Sequence, residues 1–231
     1  MYYLTRMEQV IAVSMRTNTG SAKKVLKQIA SNGVRCVQLD ALHDDFVDMT
    51  ESGLRDVAAT MRGLGVRACG VDFLVSPEMW EEAPERTLDA FSRAVAIAEV
   101  VGNVPVGTRM AKESEITESA ISIGQQSGVL LSSHGTNPPQ DPQVGWHLPL
   151  ALLSKEENPL LALVKANHAP LAIRLRGEIV DETSLEYEGT RMVLRELRGV
   201  LDAMRWNPMA ILDCDCDDTL SFVKAWQVAG P

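Results

Sequence analysis

The chain has 231 residues, 45% of them hydrophobic, and a formal net charge of −9. That length and apolar content suit one large domain, 1–231, with a sizeable core. The acidic balance excludes a nucleic-acid binder, which needs clustered Lys and Arg to displace phosphate counterions, and no apolar run is long enough to span a bilayer.

Residues 1–9 lack the apolar stretch and small-residue cleavage site of a secretory signal. Cys36, Cys69, Cys214 and Cys216 each lie in or beside a strand-like run, which argues against a disulfide framework. A reduced, cytoplasmic protein is expected.

The first strand is expected over 10–15 (Val-Ile-Ala-Val-Ser-Met), broken by Thr-Asn-Thr-Gly. A helix follows with Ala22, Val25, Leu26, Ile29 and Ala30 on one face. Gly33 closes it, and 34–39 is the second strand, ending at Asp40. Residues 41–52 read as a polar loop. The next helix carries Leu54, Val57, Ala58, Met61 and Leu64 and is closed by Gly65. The third strand, 66–74, repeats the second: Gly33-Val34-Arg35 matches Gly65-Val66-Arg67, and each copy runs to a carboxylate, Asp40 or Asp72. A Gly just past a helix closes it by taking positive φ.

A loop with Pro77, Trp80 and Pro84 leads to a helix with Leu88, Phe91, Val95, Ala98 and Val101 inward. The fourth strand is expected over 103–109. A helix with Ile116, Ala120 and Ile123 inward ends at Gly128, and the fifth strand, 129–133, runs into His134. Residues 137–142 are a Pro-rich turn, 144–148 a sixth strand, and 150–166 two short helices. The seventh strand spans 170–175. Residues 177–189 read as a long acidic loop and 190–205 as a helix. An eighth strand, 209–213, and a helix over 218–228 finish the chain.

Eight short apolar strands alternating with helices suit a parallel sheet covered by helices, and the predicted fold is a (β/α)8 TIM barrel. An open doubly wound sheet is the alternative, but no Gly-x-Gly-x-x-Gly follows the first strand.

In such a barrel chemistry gathers at the carboxyl ends of the strands. Those ends carry Arg16, Asp40 with His43, Asp72, Arg109, His134, His147, Arg174 with Arg176, and Asp213 with Asp215. Four arginines, Arg16, Arg109, Arg174 and Arg176, could bind phosphate or carboxylate through paired hydrogen bonds. Their alternative is a rim of salt bridges to Asp40, Asp72, Asp213 and Glu178. His134 could act as a base or ligand near neutral pH, or rest as a hydrogen-bonded loop residue. In Asp213-Cys214-Asp215-Cys216-Asp217-Asp218, alternation puts Asp213, Asp215 and Asp217 on one side, where carboxylates could hold a cation. The plainer reading has Asp217 or Asp218 capping the last helix and the cysteines packing. Trp80, Trp146 and Trp226 are either core or the interface of a homo-oligomer.

The order and spacing resemble the xylose-isomerase-like TIM barrels, the superfamily of sugar phosphate isomerases and epimerases and of endonuclease-IV-like enzymes. Residues 26–40, 94–106 and 193–213 carry the resemblance, which covers most of the chain by pattern. It implies a divalent metal (manganese, magnesium or zinc) held by a Glu ending the fifth strand, an Asp ending the sixth, a His on the seventh and a Glu ending the eighth. The two Glu also move the proton. Here those places hold Ser132-Ser133-His134, Leu148-Pro149, Arg174 and Asp213.

Three functional expectations follow. In the first, the chain takes a small polar, anionic ligand, a sugar or sugar phosphate, without the family's metal. His134 is then the acid/base, Asp213 its partner, and Arg16, Asp40, Asp72, Arg109, Arg174 and Arg176 bind the substrate. In the second, the barrel is a non-catalytic binding or assembly protein. In the third, it is a metal-dependent sugar isomerase with His134, His147, Asp213 and Asp215 as ligands.

Overall fold

The computed structural model describes residues 9–109, 115–153 and 155–230; residues 1–8 of the segment read as lacking a signal lie outside them. Seven parallel strands come first: β1 (Ile11–Ser14), β2 (Cys36–Asp40), β3 (Arg67–Phe73), β4 (Val106–Thr108), β5 (Leu131–His134), β6 (Gly145–Pro149) and β7 (Ala172–Leu175). An insert follows, made of β8 (Glu178–Asp181), β9 (Ser184–Tyr187) and β10 (Thr190–Val193), and then the last barrel strand, β11 (Met209–Leu212). The barrel closes because β1 pairs in parallel with both β2 and β11. This is the (β/α)8 barrel, with a separate antiparallel sheet in the order β10-β9-β8. No helix among the described residues is long and apolar enough to cross a membrane.

The helices form where apolar residues recur every three or four positions. In α1 (Ala22–Ser31) the buried residues are Ala22, Val25, Leu26 and Ile29. The short α2 (Asp44–Val47) interrupts what the sequence reads as loop, with His43 at its start accepting from the Asp45 N–H. In α3 (Glu51–Leu64), Leu54, Val57, Ala58 and Met61 are buried and Thr50 caps the start. Gly33 and Gly65 take φ of +77° and +66°, so each turns the chain from helix to strand without a Cβ clash. The ring continues with α4 (Pro77–Glu82), α5 (Pro84–Val100), α6 (Glu115–Gln126), α7 (Leu150–Leu153), α8 (Pro159–Ala166), α9 (Leu194–Ala203) and α10 (Thr219–Val228).

Two expectations are corrected. The acidic loop of 177–189 and the first turn of the helix expected from 190 are the three-stranded insert. β9 and β10 join through Glu188-Gly189, both at positive φ, the backbone of a type I′ hairpin turn. Cross-strand pairing, with Val193 opposite Ser184, overrides the helical periodicity of residues 190–193. β4 is also shorter than expected, because Pro105 has no N–H and Asn103 sits at φ +56°.

The three tryptophans belong to the core. Trp80 meets Phe73 and Phe91 edge-on, with ring centroids 5.9 and 5.7 Å apart. Trp146 Nε1 donates to the Gly135 carbonyl, and Trp226 Nε1 to Gln9 Oε1. The four cysteines are free thiols.

The barrel interior has two levels. Ala12, Cys36, Ala172 and Ile211 form a small apolar cluster apart from the main core. Two positions further along β1, β2 and β7 the inward side chains become Ser14, Gln38 and Arg174, all buried. An apolar floor thus carries a polar layer, and that layer lies at the carboxyl ends of the strands.

The outer core rests on the aromatic cluster between β3 and the α4–α5 pair. Phe91→Ala is expected to cost about 3–5 kcal/mol by cavity formation, read as a lower urea midpoint with an unchanged slope.

Candidate functional site

Arg174 is the centre of the polar layer, with only 3% of its side chain exposed. Its Nε and Nη2 donate to the two oxygens of Asp213, at 2.8 and 2.5 Å. Nη1 donates to Asp72 Oδ1 at 2.9 Å and lies 2.8 Å from Oδ2. Nη2 also reaches Ser14 Oγ at 3.3 Å. On the other side of Asp72, Gln38 Nε2 donates to Oδ1 at 2.8 Å. A guanidinium forks onto carboxylates in this way because its donors are coplanar and fixed in spacing. Burial alone would lower the charge preference of Arg174, but Asp213 and Asp72 outweigh it and hold it protonated.

Asp72 is buried, and burial raises its carboxyl to about 6, against the pull of Arg174 and with the help of the Asp213 charge. Asp40, at the end of β2, is also raised by burial, while its Oδ1 accepts from the Leu42 N–H at 3.1 Å.

Two imidazoles complete the layer. β5 and β6 are in register at His134 and His147, and their rings lie tilted by 42° with centroids 4.7 Å apart. His134 Nε2 is 3.8 Å from Asp72 Oδ1. Burial, and then the charges of His147 and Arg174, push His134 well below its usual range. Burial and Arg174 push His147 to about 3. Both rings are therefore neutral at pH 7. Among the described residues, His134 Nε2 and both ring nitrogens of His147 have no hydrogen-bond partner. Gly107 makes room here: a Cβ on it would stand 2.5 Å from His134 Nε2.

Above the layer opens a cavity of about 450 Å³, lined among others by Arg16, Arg109, Arg176, Lys155, His134 and Asp213. Arg16 and Arg176 are exposed and Arg109 is half-buried. Among the described residues none of these three has an ion-pair partner, whereas Lys155 pairs with Glu188 at 3.5 Å. Arg176 lies over the Tyr187 ring of the insert, 5.5 Å from its centroid. Arg109 is held below its usual range by burial and by the charges of Arg16 and Arg174.

The structure therefore divides the strand-end residues into two groups. Asp72, His134, His147, Arg174 and Asp213 meet inside the barrel, while Arg16, Arg109, Arg176 and the exposed Asp215 line the cavity above. His43 starts α2, and its Nε2 is 3.0 Å from the Gly20 carbonyl. Asp218 stands at the capping position just before α10, where its side chain makes no capping hydrogen bond among the described residues, and Cys214 and Cys216 pack in the core. Ser14, Gln38, Gly107, Lys155 and Tyr187 were not singled out from the sequence. For Ser14 and Gln38 a signal exists, since each is a polar residue inside an otherwise apolar strand.

No protein-family profile and no curated protein matches the chain. Solved structures do, at low identity. A xylose isomerase domain protein from Planctomyces limnophilus is 12% identical over 96% of both chains, with a TM-score of 0.74. D-Psicose 3-epimerase from Clostridium cellulolyticum H10, solved with D-tagatose, is 11% identical over 88% of this chain and 84% of its own, at 0.65. The 3-keto-D-glucoside 4-epimerase of E. coli is 12% identical over 95% and 98%, at 0.66. The chain has the xylose-isomerase-like barrel fold of these sugar isomerases and epimerases.

Of the four places named for a metal from the sequence resemblance, Asp213 carries a carboxylate, and both its oxygens accept from Arg174. The described ligand-type group is a different one, Asp72 with His134 and His147, to which Asp213 and Asp215 do not belong.

Arg174→Leu leaves two carboxylates without their cation inside the barrel. It is expected to lower unfolding free energy by about 3–5 kcal/mol, and adding Asp72→Leu should recover part of that in urea denaturation. The pH dependence has a definite sign. A buried neutral histidine must charge on unfolding, so stability falls as pH drops from about 6.5 toward the folded value of His147, about 3. Asp72 works the other way between its ordinary value of 3.8 and about 6, offsetting one of the two histidines. In chelator, His147→Phe should reduce the loss between pH 6.5 and 5 by up to about 1.4 kcal/mol per pH unit.

Proposed function

We propose that the barrel mouth binds a small, oxygen-rich anion, a sugar phosphate or sugar acid, and moves a proton on its carbon skeleton. One observation carries this reading: Arg16, Arg109 and Arg176 face one cavity with no described ion-pair partner, in a chain whose net charge is −9. Unpaired arginines on an acidic protein are suited to a phosphate or carboxylate, which they grip in pairs. Tyr187, stacked beside Arg176, offers a ring edge and a hydroxyl of the kind that meets a sugar.

Isomerisation or epimerisation of a sugar requires a base near a C–H and a cation near the oxygen that gains charge. His134 is neutral at pH 7 and lines the cavity, so its imidazole can accept a proton there. Arg174 and Asp213 also reach the cavity wall, the first as a permanent charge and the second as the acceptor that orients it. Asp40 and Asp72 support this from below rather than by touching the ligand, since neither lines the cavity.

A second reading, a binding protein without turnover, is favoured by one specific feature. All the charge of Arg174 is already answered by Asp72 and Asp213, so little of it is left for a reacting oxygen.

Calorimetry with paired neutral and phosphorylated sugars tests the first step. Tighter binding of the anionic member is expected, weakened about 10–100-fold in Arg16→Ala/Arg109→Ala, the effect of losing a charge-assisted contact. Equal binding of neutral and anionic sugars would sink the proposal. Proton transfer is read separately, as deuterium entering a carbon position of the bound sugar in heavy water. Incorporation that His134→Gln abolishes supports turnover, and binding without incorporation selects the second reading.

A further inference from the structure

We propose that Asp72, His134 and His147 form a zinc-type metal site inside the barrel, at the base of the arginine-lined cavity, with ligands from β3, β5 and β6 and none from the seventh and eighth barrel strands. The donor atoms of the three side chains all lie within 4.8 Å of one another, and His134 Nε2 is 3.8 Å from Asp72 Oδ1. Tetrahedral zinc with bonds of about 2.0–2.1 Å sets its donors roughly 3.3 Å apart, so small side-chain rotations close the set.

Three further observations point to a shared ligand. His134 Nε2 and both ring nitrogens of His147 are buried without partners, and an unsatisfied buried polar atom costs about 1–3 kcal/mol. One orphan atom is readily answered by a water, but two imidazoles in contact offer their nitrogens within 4.8 Å of each other and of one carboxylate. The second is Gly107. A Cβ there would lie 2.5 Å from His134 Nε2 and 3.2 Å from Asp72 Oδ1, so the glycine keeps the space between these two donors open. The third is charge. Asp40, Asp72 and Asp213 place three carboxylates in or next to the polar layer, against the single buried cation Arg174. A dication offsets the excess.

Arg174 opposes the metal by repulsion, but its contact with Asp72, together with that of Gln38, also fixes the carboxylate's orientation as outer partners of metal ligands do. Two neutral imidazoles and one carboxylate suit zinc, cobalt or nickel better than magnesium or calcium, which prefer oxygen donors throughout. The site shares His134 and Asp72 with the proposed proton transfer but does not depend on anion binding, which rests on Arg16, Arg109 and Arg176.

The test uses untagged full-length protein, stripped with chelator and reloaded with zinc or cobalt(II). Expected are about one equivalent of zinc retained through gel filtration and, for cobalt, visible bands of a four- or five-coordinate nitrogen–oxygen site. Asp72→Asn and His147→Gln should weaken retention about tenfold or more, and Gly107→Ala should do so by filling the space. His43→Gln, a histidine outside the cluster, should leave it unchanged. No zinc retention and no cobalt bands in the wild type would overturn the proposal. So would retention indifferent to Asp72→Asn and His147→Gln but lost in Asp213→Asn. If a variant does not fold, the wild-type cobalt spectrum decides alone. Anion binding that fails while zinc is retained would refute only the proposed function.

Discussion

Arg174 between Asp72 and Asp213 is the contact on which the upper barrel depends. Three charges taken out of water would be costly singly, and they persist because each nitrogen of the guanidinium meets an oxygen at hydrogen-bond distance. That pairing fixes the orientation of Asp72, and Asp72 in turn is what His134 faces. It also engages both oxygens of Asp213, just past the end of the last barrel strand. One arginine thus decides which chemistry the interior can hold.

Its neighbours follow from the same electrostatics. Burial in a low-dielectric barrel first, and the charge of Arg174 after it, keep the nearby imidazoles neutral, so His134 and His147 present lone pairs rather than charge. Neutral imidazoles can take up a proton or a metal, and protonated ones can do neither. Arg109, above Arg174, is held below its usual range by burial first and then by the charges of Arg16 and Arg174. The gradient runs from an apolar floor, through a polar layer of carboxylates and imidazoles around Arg174, to a mouth where Arg16, Arg109 and Arg176 have no ion-pair partner among the described residues.

The likeness to sugar isomerases and epimerases is one of fold, at 11–12% identity in the structures described. A barrel tolerates such divergence because its outer core needs only apolar residues at helical and strand spacing. The strand ends are free to change. The three-stranded insert after β7 shows that freedom, since it brings Tyr187 over Arg176 without disturbing the closure of the barrel.

Much of this was legible in the sequence. Local periodicity marked the buried faces of α1 and α3, Gly33 and Gly65 marked their ends, and the eight barrel strands fell where short apolar runs predicted them. Most of the residues read at the strand ends are gathered in and above the polar layer, because a barrel brings every such end to one face. The grouping of those residues was decided only by the tertiary structure. Arg174 meets Asp72 across 102 positions of chain and Asp213 across 39, and no local pattern encodes such a choice. The same limit hid the insert, whose strands exist because they pair with each other, and it hid Asp72 as the third member of the histidine cluster. Spacing along a chain reports which face a residue takes. Which charge it meets there depends on barrel register, which is set only when the sheet closes.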